Sequence, residues 1–361
     1  MREIGSEFWI ESIPMETTNE AVDTNISSWL SIGGDYCLLY SGRTAIDYVL
    51  SDIPKTIRSV YMPSYCCYSM LQPFLDRGIK VYFYGIELTD NGISYRIDYE
   101  KPCDIFFAIS YFGYLSTTID AEIEVFRNKG ITIIEDITHR LLSKQMYCDK
   151  SDYSIASLRK WFPIPSGGLA VKRSGKFSKR SLKAPPPLIN TKISAMQIKA
   201  DYIKENKGDK QAFLTMFSRF NKGLQYEYRN IEIDSLSRRL LAKADFFSIK
   251  QKRRENTKYL CEALKKNQRF VKSMISTFSS DDCLLFFPVR INTKEREALR
   301  NYLIVHDIYC PIHWPITNEA YLNVKTRQVY EEELSLIIDQ RYGIDDMQRI
   351  VETIGDFYST K

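Results

Sequence analysis

Short β-rich apolar runs recur at helix-sized intervals through the first half of the chain. They are Cys37 to Tyr40, Ser59 to Met62, Ile79 to Tyr84, Asp104 to Ile109, Ile131 to Ile134 and Tyr153 to Ser157. Stretches with helix signals lie between them. One runs from Ile46 to Ile53 and stops before Pro54; another runs from Thr118 to Lys129 and stops at Gly130. Strand and helix in alternation predict a parallel, doubly wound α/β sheet covered by helices on both faces. Right-handed crossovers then bring the strand C-termini to one edge, where open α/β sheets place their ligand sites.

The residues at those strand ends carry chemistry. Ile131-Thr132-Ile133-Ile134 ends in Glu135-Asp136, and His139 follows three residues on. Tyr153 to Ser157 leads to Arg159-Lys160, then to Gly167-Gly168 and Leu169-Ala170-Val171. Ser41-Gly42-Arg43-Thr44 forms a small polar turn between a strand and a helix start, a natural anion cradle. A carboxylate after a buried strand also serves as a helix cap, so Asp136 has two readings at this point. Lys160 is set among Trp161, Phe162, Pro163 and Pro165, an odd place for a solvent-facing lysine. A lysine and a carboxylate on strand ends are the two protein groups that a pyridoxal 5′-phosphate (PLP) site requires. The amine attaches the cofactor and the acid keeps its ring nitrogen protonated.

Asp136-x-x-His139, then Ser157-x-x-Lys160, then Gly167-Gly168 resembles the fold-type I PLP enzymes, and within them the DegT/DnrJ/EryC1/StrS family of aminotransferases. The resemblance runs from about Gly34 to the C-terminus. It implies a large domain with a mostly parallel sheet between helices and a smaller C-terminal α+β domain. It also implies roles for particular residues. Gly42, Arg43 and Thr44 would bind the cofactor phosphate, with Ser157 reaching it from the lysine side. Asp136 would face the ring nitrogen, and His139 would lie near the phenolic oxygen or support the acid. Lys160 would carry the cofactor. Cys66-Cys67 stands where the family has a threonine-aromatic pair, which leaves Tyr68 and Tyr65 as the nearest rings to cover the cofactor. Pro311-Ile312-His313-Trp314-Pro315 resembles a family segment near the substrate, so His313 is a candidate there. Arg341 is the candidate for a substrate carboxylate. Arg159 either neutralises the phosphate or is a surface arginine. The activity implied is transfer of an amino group from Glu, Gln or another amino acid to a keto-sugar carried on a nucleotide, by a homodimer. Other PLP chemistry, elimination or acyl transfer, and a non-catalytic protein of the same fold are the alternatives.

Length and composition bound the rest. The 361 residues allow an N-terminal arm (1–33), a large domain (34–265) and a small one (266–361). Within the arm, Trp9, Ile10 and Ile13 are expected to pack on the large domain, and Asp23-Thr24-Asn25 to cap a short helix through Trp29. A net charge of +5 does not demand nucleic acid, and no helix-turn-helix extension is visible. Three histidines argue against zinc. No GxGxxG follows the first strand. No apolar run reaches the roughly 18 residues of a membrane span, and the first residues do not read as a signal peptide, so a cytoplasmic protein is expected. From Lys172 to Lys199 the chain holds eight basic residues and no acidic one, with Pro185-Pro186-Pro187 inside; this reads as a basic loop, either a lid over a phosphate-bearing substrate or a solvated surface.

Overall fold

A computed structural model describes residues 3–12, 34–89, 92–178, 181–205, 207–274, 277–316 and 322–359. Ile13 and the expected short helix through Trp29 lie outside the described residues.

The arm contributes β1 (Ile4–Gly5). The central sheet is built from β2 (Asp35–Leu39), β3 (Ser59–Pro63), β4 (Lys80–Thr89), β5 (Gly92–Arg96), β6 (Ile105–Ile109), β7 (Thr132–Asp136), β8 (Tyr153–Ser157) and β9 (Gly168–Lys172). Their spatial order is β2-β9-β8-β7-β6-β3-β4-β5. The five strands from β8 across to β4 are mutually parallel. The strands at the sheet's middle are apolar runs buried on both faces, as parallel strands under helices must be; β6, Ile-Phe-Phe-Ala-Ile, is buried throughout.

Two features depart from an all-parallel sheet. β5 returns antiparallel beside β4. β9 is antiparallel to both β2 and β8. Residues 158–167 are too few for a parallel crossover, which needs about a dozen or more residues, so the chain doubles back instead. Because β2 is in turn antiparallel to β9, it runs the same way as β8. The C-terminal ends of β2, β6, β7 and β8 therefore share one edge, and β9 begins there.

The remaining strands are β10 (Val271–Ser273), β11 (Phe287–Ile291), β12 (Ile308–Tyr309) and β13 (Glu333–Leu336). β10, β11 and β13 form a separate antiparallel sheet, while β12 pairs with β1 in parallel. The long helix Phe246–Ala263 packs against the last helix, Ile344–Ser359, whose buried face is Met347, Ile350, Ile354 and Phe357.

The basic span differs from the expected loop. From Leu188 onward it lies in the helix Leu188–Glu205, where Lys192 and Lys199 are buried. Lys192 pairs with Glu7 at 2.7 Å and Lys199 with Glu3 at 3.0 Å. Burial pushes the Lys199 amine down to about 8, against the pull of Glu3. These two lysines fasten the arm, and Trp9 and Ile10 are buried with it. Charge counting along the sequence could not separate them from the surface lysines, because their partners lie nearly 200 positions away.

Candidate active site

The helix after β2 starts at Gly42, four residues before the expected Ile46. Ser41 is its extended cap, and its Oγ accepts from the Thr44 backbone N–H at 3.2 Å. The Thr44 hydroxyl lies 2.9 Å from Ser41 Oγ and is fully buried. Thr44 thus holds the turn from behind, while Ser41, Gly42 and Arg43 line a cavity. The turn sits tightly on β9: a Cβ at Gly168 would lie 2.1 Å from the Ser41 carbonyl oxygen, so only glycine allows this approach.

Asp136 is the last residue of β7 and His139 falls in a single 3₁₀ turn, Thr138–Arg140, rather than a helix start. Asp136 Oδ1 accepts from the Thr138 N–H at 2.8 Å, so the carboxylate does cap this turn; it also lines the cavity. Burial pushes its pKa up, opposed by the Thr138 hydrogen bonds and by Lys160. Burial, with Lys160 and His313 nearby, holds His139 well below the usual imidazole range, so the ring is neutral. Its Nδ1 accepts from the Phe112 N–H at 3.0 Å, which places the proton on Nε2. Nε2 is buried without a hydrogen-bond partner. His139 is one of the residues that line the cavity.

Behind this wall, Glu135 and Arg140 form a fully buried ion pair. Arg140 also reaches Asp120 at 2.9 Å, and Glu135 Oε2 accepts from Cys148 N and Ser151 Oγ at 2.9 and 2.7 Å. Removing one partner strands the other charge in the core. Arg140→Met is expected to lower stability by about 3–5 kcal/mol in urea unfolding, with much of the loss recovered in the Glu135→Leu/Arg140→Met double variant. A single-variant loss below about 1 kcal/mol, the range of a surface pair, would refute the buried pair.

Lys160 ends the 3₁₀ turn Leu158–Lys160 after β8. The segment is braced by Trp161, whose indole N–H donates to the Thr138 carbonyl at 2.6 Å and whose own carbonyl accepts from Gln340 Nε2 at 2.7 Å. Lys160 Nζ stands 5.5 Å from the Trp314 ring centre. Asp136, His139, Ser157, Arg159 and Lys160 all border one cavity of about 480 Å³, together with the Ser41–Arg43 turn.

Other expected residues stand elsewhere. Tyr68 is 43% exposed and does not reach the cavity. Tyr65 is fully buried among Tyr111, Trp314 and Tyr330. It is Cys67 that lines the wall at this point, and the aromatic ring is that of Trp314, which stacks 5.8 Å from His139 at an interplanar angle of 25°. Its signal lay in the Pro-Ile-His-Trp-Pro segment, where the neighbouring histidine drew attention instead. His313 is a supporting residue: buried, with Nδ1 2.9 Å from Ser335 Oγ and its backbone N–H donating to Glu333 at 2.7 Å. Arg341 is committed to Asp339 at 2.7 Å and to the arm carbonyls of Ser6 and Glu7, both at 3.2 Å. It lines a second cavity of about 430 Å³ that meets the first at Arg159 and Lys160. Asn221, from the helix Lys210–Gly223, also lines the first cavity and had no sequence signal.

No protein-family model matches the chain, and no curated protein matches it by sequence. Solved structures do match. The aminotransferase TlmJ from Streptoalloteichus hindustanus is 12% identical, with 98% of this chain and 93% of that one covered and a TM-score of 0.68. A DegT DnrJ EryC1 StrS aminotransferase from Brucella abortus is 15% identical over 94% and 90%, with a TM-score of 0.62. The chain has the fold of these aminotransferases. Helicobacter pylori PseC, an aminotransferase of pseudoaminic acid biosynthesis, shares it too, at 13% identity over 99% and 100% and a TM-score of 0.64. The fold-type I architecture is therefore established, with β9 reversed in the sheet, over nearly the whole length.

Proposed function

We propose that this protein is a PLP-dependent aminotransferase of the DegT/DnrJ/EryC1/StrS type, acting on a nucleotide-linked keto-sugar. The observation that carries the reading is the set of polar groups gathered around one cavity. An amine, a carboxylate, a neutral imidazole and two guanidiniums border the same space. They fit the cofactor's aldehyde, ring nitrogen, phenolic oxygen and phosphate in turn.

Bound there, PLP supplies an electron sink that lasts as long as its ring nitrogen stays protonated. Asp136 would hold that N–H⁺, an opposite charge that relieves the cost of its own buried ionisation. His139 Nε2–H would donate to the phenolic oxygen. Ser41, Gly42, Arg43 and Ser157 would receive the phosphate. Trp314, Ile109 and Ile155 would keep water off the reacting face. Lys160 Nζ would attach the cofactor and, once free, move a proton at the substrate carbon.

The acceptor reading is supported by a structural neighbour, the putative sugar aminotransferase Spr1654 from Streptococcus pneumoniae. The small unit, residues 266–361, would close the cavity of the large one, residues 34–265, through Trp314. We place the enzyme in the cytoplasm as a homodimer, and a fully active monomer in sedimentation would refute the dimer. Lys192 and Lys199 are buried, and Lys172 lies at the far end of β9, paired with Asp52 at 2.7 Å, so the described basic residues of this span give no support to a lid over a nucleotide diphosphate; Lys179 and Arg180 lie outside the described residues.

The test uses the full-length protein loaded with PLP. Borohydride reduction should leave a pyridoxyl group on Lys160, and stoichiometric glutamate or glutamine should convert the cofactor to pyridoxamine phosphate. Nucleotide-linked keto-sugars should then accept the amino group. Product from simple keto acids alone would overturn the sugar assignment, and a pyridoxyl group on another lysine would overturn the site.

A further inference from the structure

We propose that Arg253 and Gln340 form a positioning relay for Lys160, setting the turn that carries it by holding the carbonyl and the ring of Trp161. The relay rests on the role given to Lys160 above and adds two residues to it. Neither borders the first cavity; Arg253 lines the second.

The relay ties the central sheet to the separate antiparallel one. Arg253 lies on the long helix Phe246–Ala263 and is fully buried. Its Nη1 donates to the carbonyls of Leu285 at 2.8 Å and Leu284 at 3.4 Å, just before β11. Its Nε donates at 3.0 Å to Gln340 Oε1, past the end of β13. With its oxygen held there, the Gln340 amide turns Nε2 to the Trp161 carbonyl, which accepts at 2.7 Å. The guanidinium also lies over the Trp161 ring, 4.5 Å from its centre. Trp161 follows Lys160 directly, and its backbone N–H donates to the Leu158 carbonyl at 2.9 Å. Its indole N–H reaches the Thr138 carbonyl, and the Thr138 hydroxyl accepts from the Ser157 N–H at 3.0 Å. The turn that carries Lys160 is thus fixed to the Asp136 turn on one side, and by Arg253 and Gln340 to the other sheet.

An arginine is a costly residue for this place. Burial pushes its pKa down to about 10, with Asp339 pulling the other way. Asp339 is itself bound to Arg341 at 2.7 Å, so the Arg253 guanidinium is satisfied by carbonyls, an amide and a ring. A buried charge without a paired acid is expensive, and an apolar side chain of similar volume would fill the core at lower cost. What the apolar side chain lacks is the planar fork. One nitrogen holds Gln340, another holds main-chain carbonyls, and the face stacks on the indole. Position is what this arrangement secures: the amine must stay within a narrow range, and a displacement of about 1 Å can cost about 10²-fold in rate.

The experiment compares full-length wild type with Arg253→Met, Gln340→Met and the double variant, by two readings. In PLP-loaded protein, the single-turnover rate at saturating glutamate should fall by about 10- to 100-fold in each single variant, while the half-saturating glutamate concentration changes by less than about threefold. The double variant should be about as slow as the slower single one, because both residues act on one turn. In cofactor-free protein, reductive methylation with formaldehyde and cyanoborohydride, read by peptide mass, should label Lys160 at least about threefold faster in the variants as the turn opens locally. Lys144, whose side chain is 71% exposed, is the internal standard. An unchanged labelling rate, an unchanged turnover, a loss confined to glutamate affinity, or additive effects in the double variant would overturn the relay. Should Arg253→Met fail to fold, Gln340→Met decides alone on the same two readings. If loaded wild type shows no reaction with any amino donor, the aminotransferase reading fails, and the labelling of Lys160 alone judges the relay.

Discussion

Lys160→Arg should abolish turnover while leaving the protein folded. The variant keeps a cation near Trp314 but has no amine to attach the cofactor or to move a proton. The loss of steady-state rate should exceed about 10⁴-fold, the upper end of what a positioned proton-transfer group contributes. Stability should change little, because the contact of Lys160 with the Trp314 ring is worth about 0.5–1 kcal/mol and an arginine retains much of it. Borohydride should leave no pyridoxyl group on the variant. Residual turnover above about 1% of wild type, with the fold intact by circular dichroism, would remove Lys160 from its role.

Asp136→Asn should separate activity from stability. The amide oxygen can still accept from the Thr138 N–H, so the turn that carries His139 survives. With no carboxylate against the ring nitrogen, the rate should fall by about 10²- to 10³-fold, the scale for losing one preorganised electrostatic partner. The cofactor-free protein should behave in the opposite way. Burial raises the Asp136 pKa above its ordinary value of 3.8. An acid whose folded pKa is raised gives up its proton more readily in the unfolded chain. The folded state therefore loses stability as pH rises from the unfolded pKa through the folded one. The cofactor-free asparagine variant should be the more stable protein at pH 7, and the gap should close as the pH falls towards 4. Urea melts across that range measure it. A wild type that stays the more stable at pH 7 would show that Asp136 acts mainly as a cap.

The two predictions rest on residues that could be found from the sequence because each is fixed to the end of a strand. Once β7 and β8 are recognised as neighbouring parallel strands, Asp136 and Lys160 must emerge at one edge, since parallel strands share a direction. The Ser41–Arg43 turn follows in the same way from β2. That β9 reverses was also open to inference, from a connector too short to cross over. What failed concerned loops and the far half of the chain. Cys67 and Tyr68 are adjacent at a helix start, and no periodicity tells which of the two turns inward; in the fold Cys67 lines the cavity and Tyr68 is exposed. Arg341 had the residue type of a carboxylate binder, but Asp339 and the arm carbonyls already occupy it.

The sequence by itself determined the parallel sheet and the one edge at which Asp136 and Lys160 emerge, because hydrophobic alternation and strand direction are properties of local chain geometry. Only the tertiary structure decided that Trp314 supplies the aromatic wall, that Lys192 and Lys199 are buried against Glu7 and Glu3, and that Arg43 and Arg159 line one cavity. These are matters of charge and ring partners brought together across long stretches of chain, and a side chain's partner is set by where the core places it, not by its neighbours in sequence.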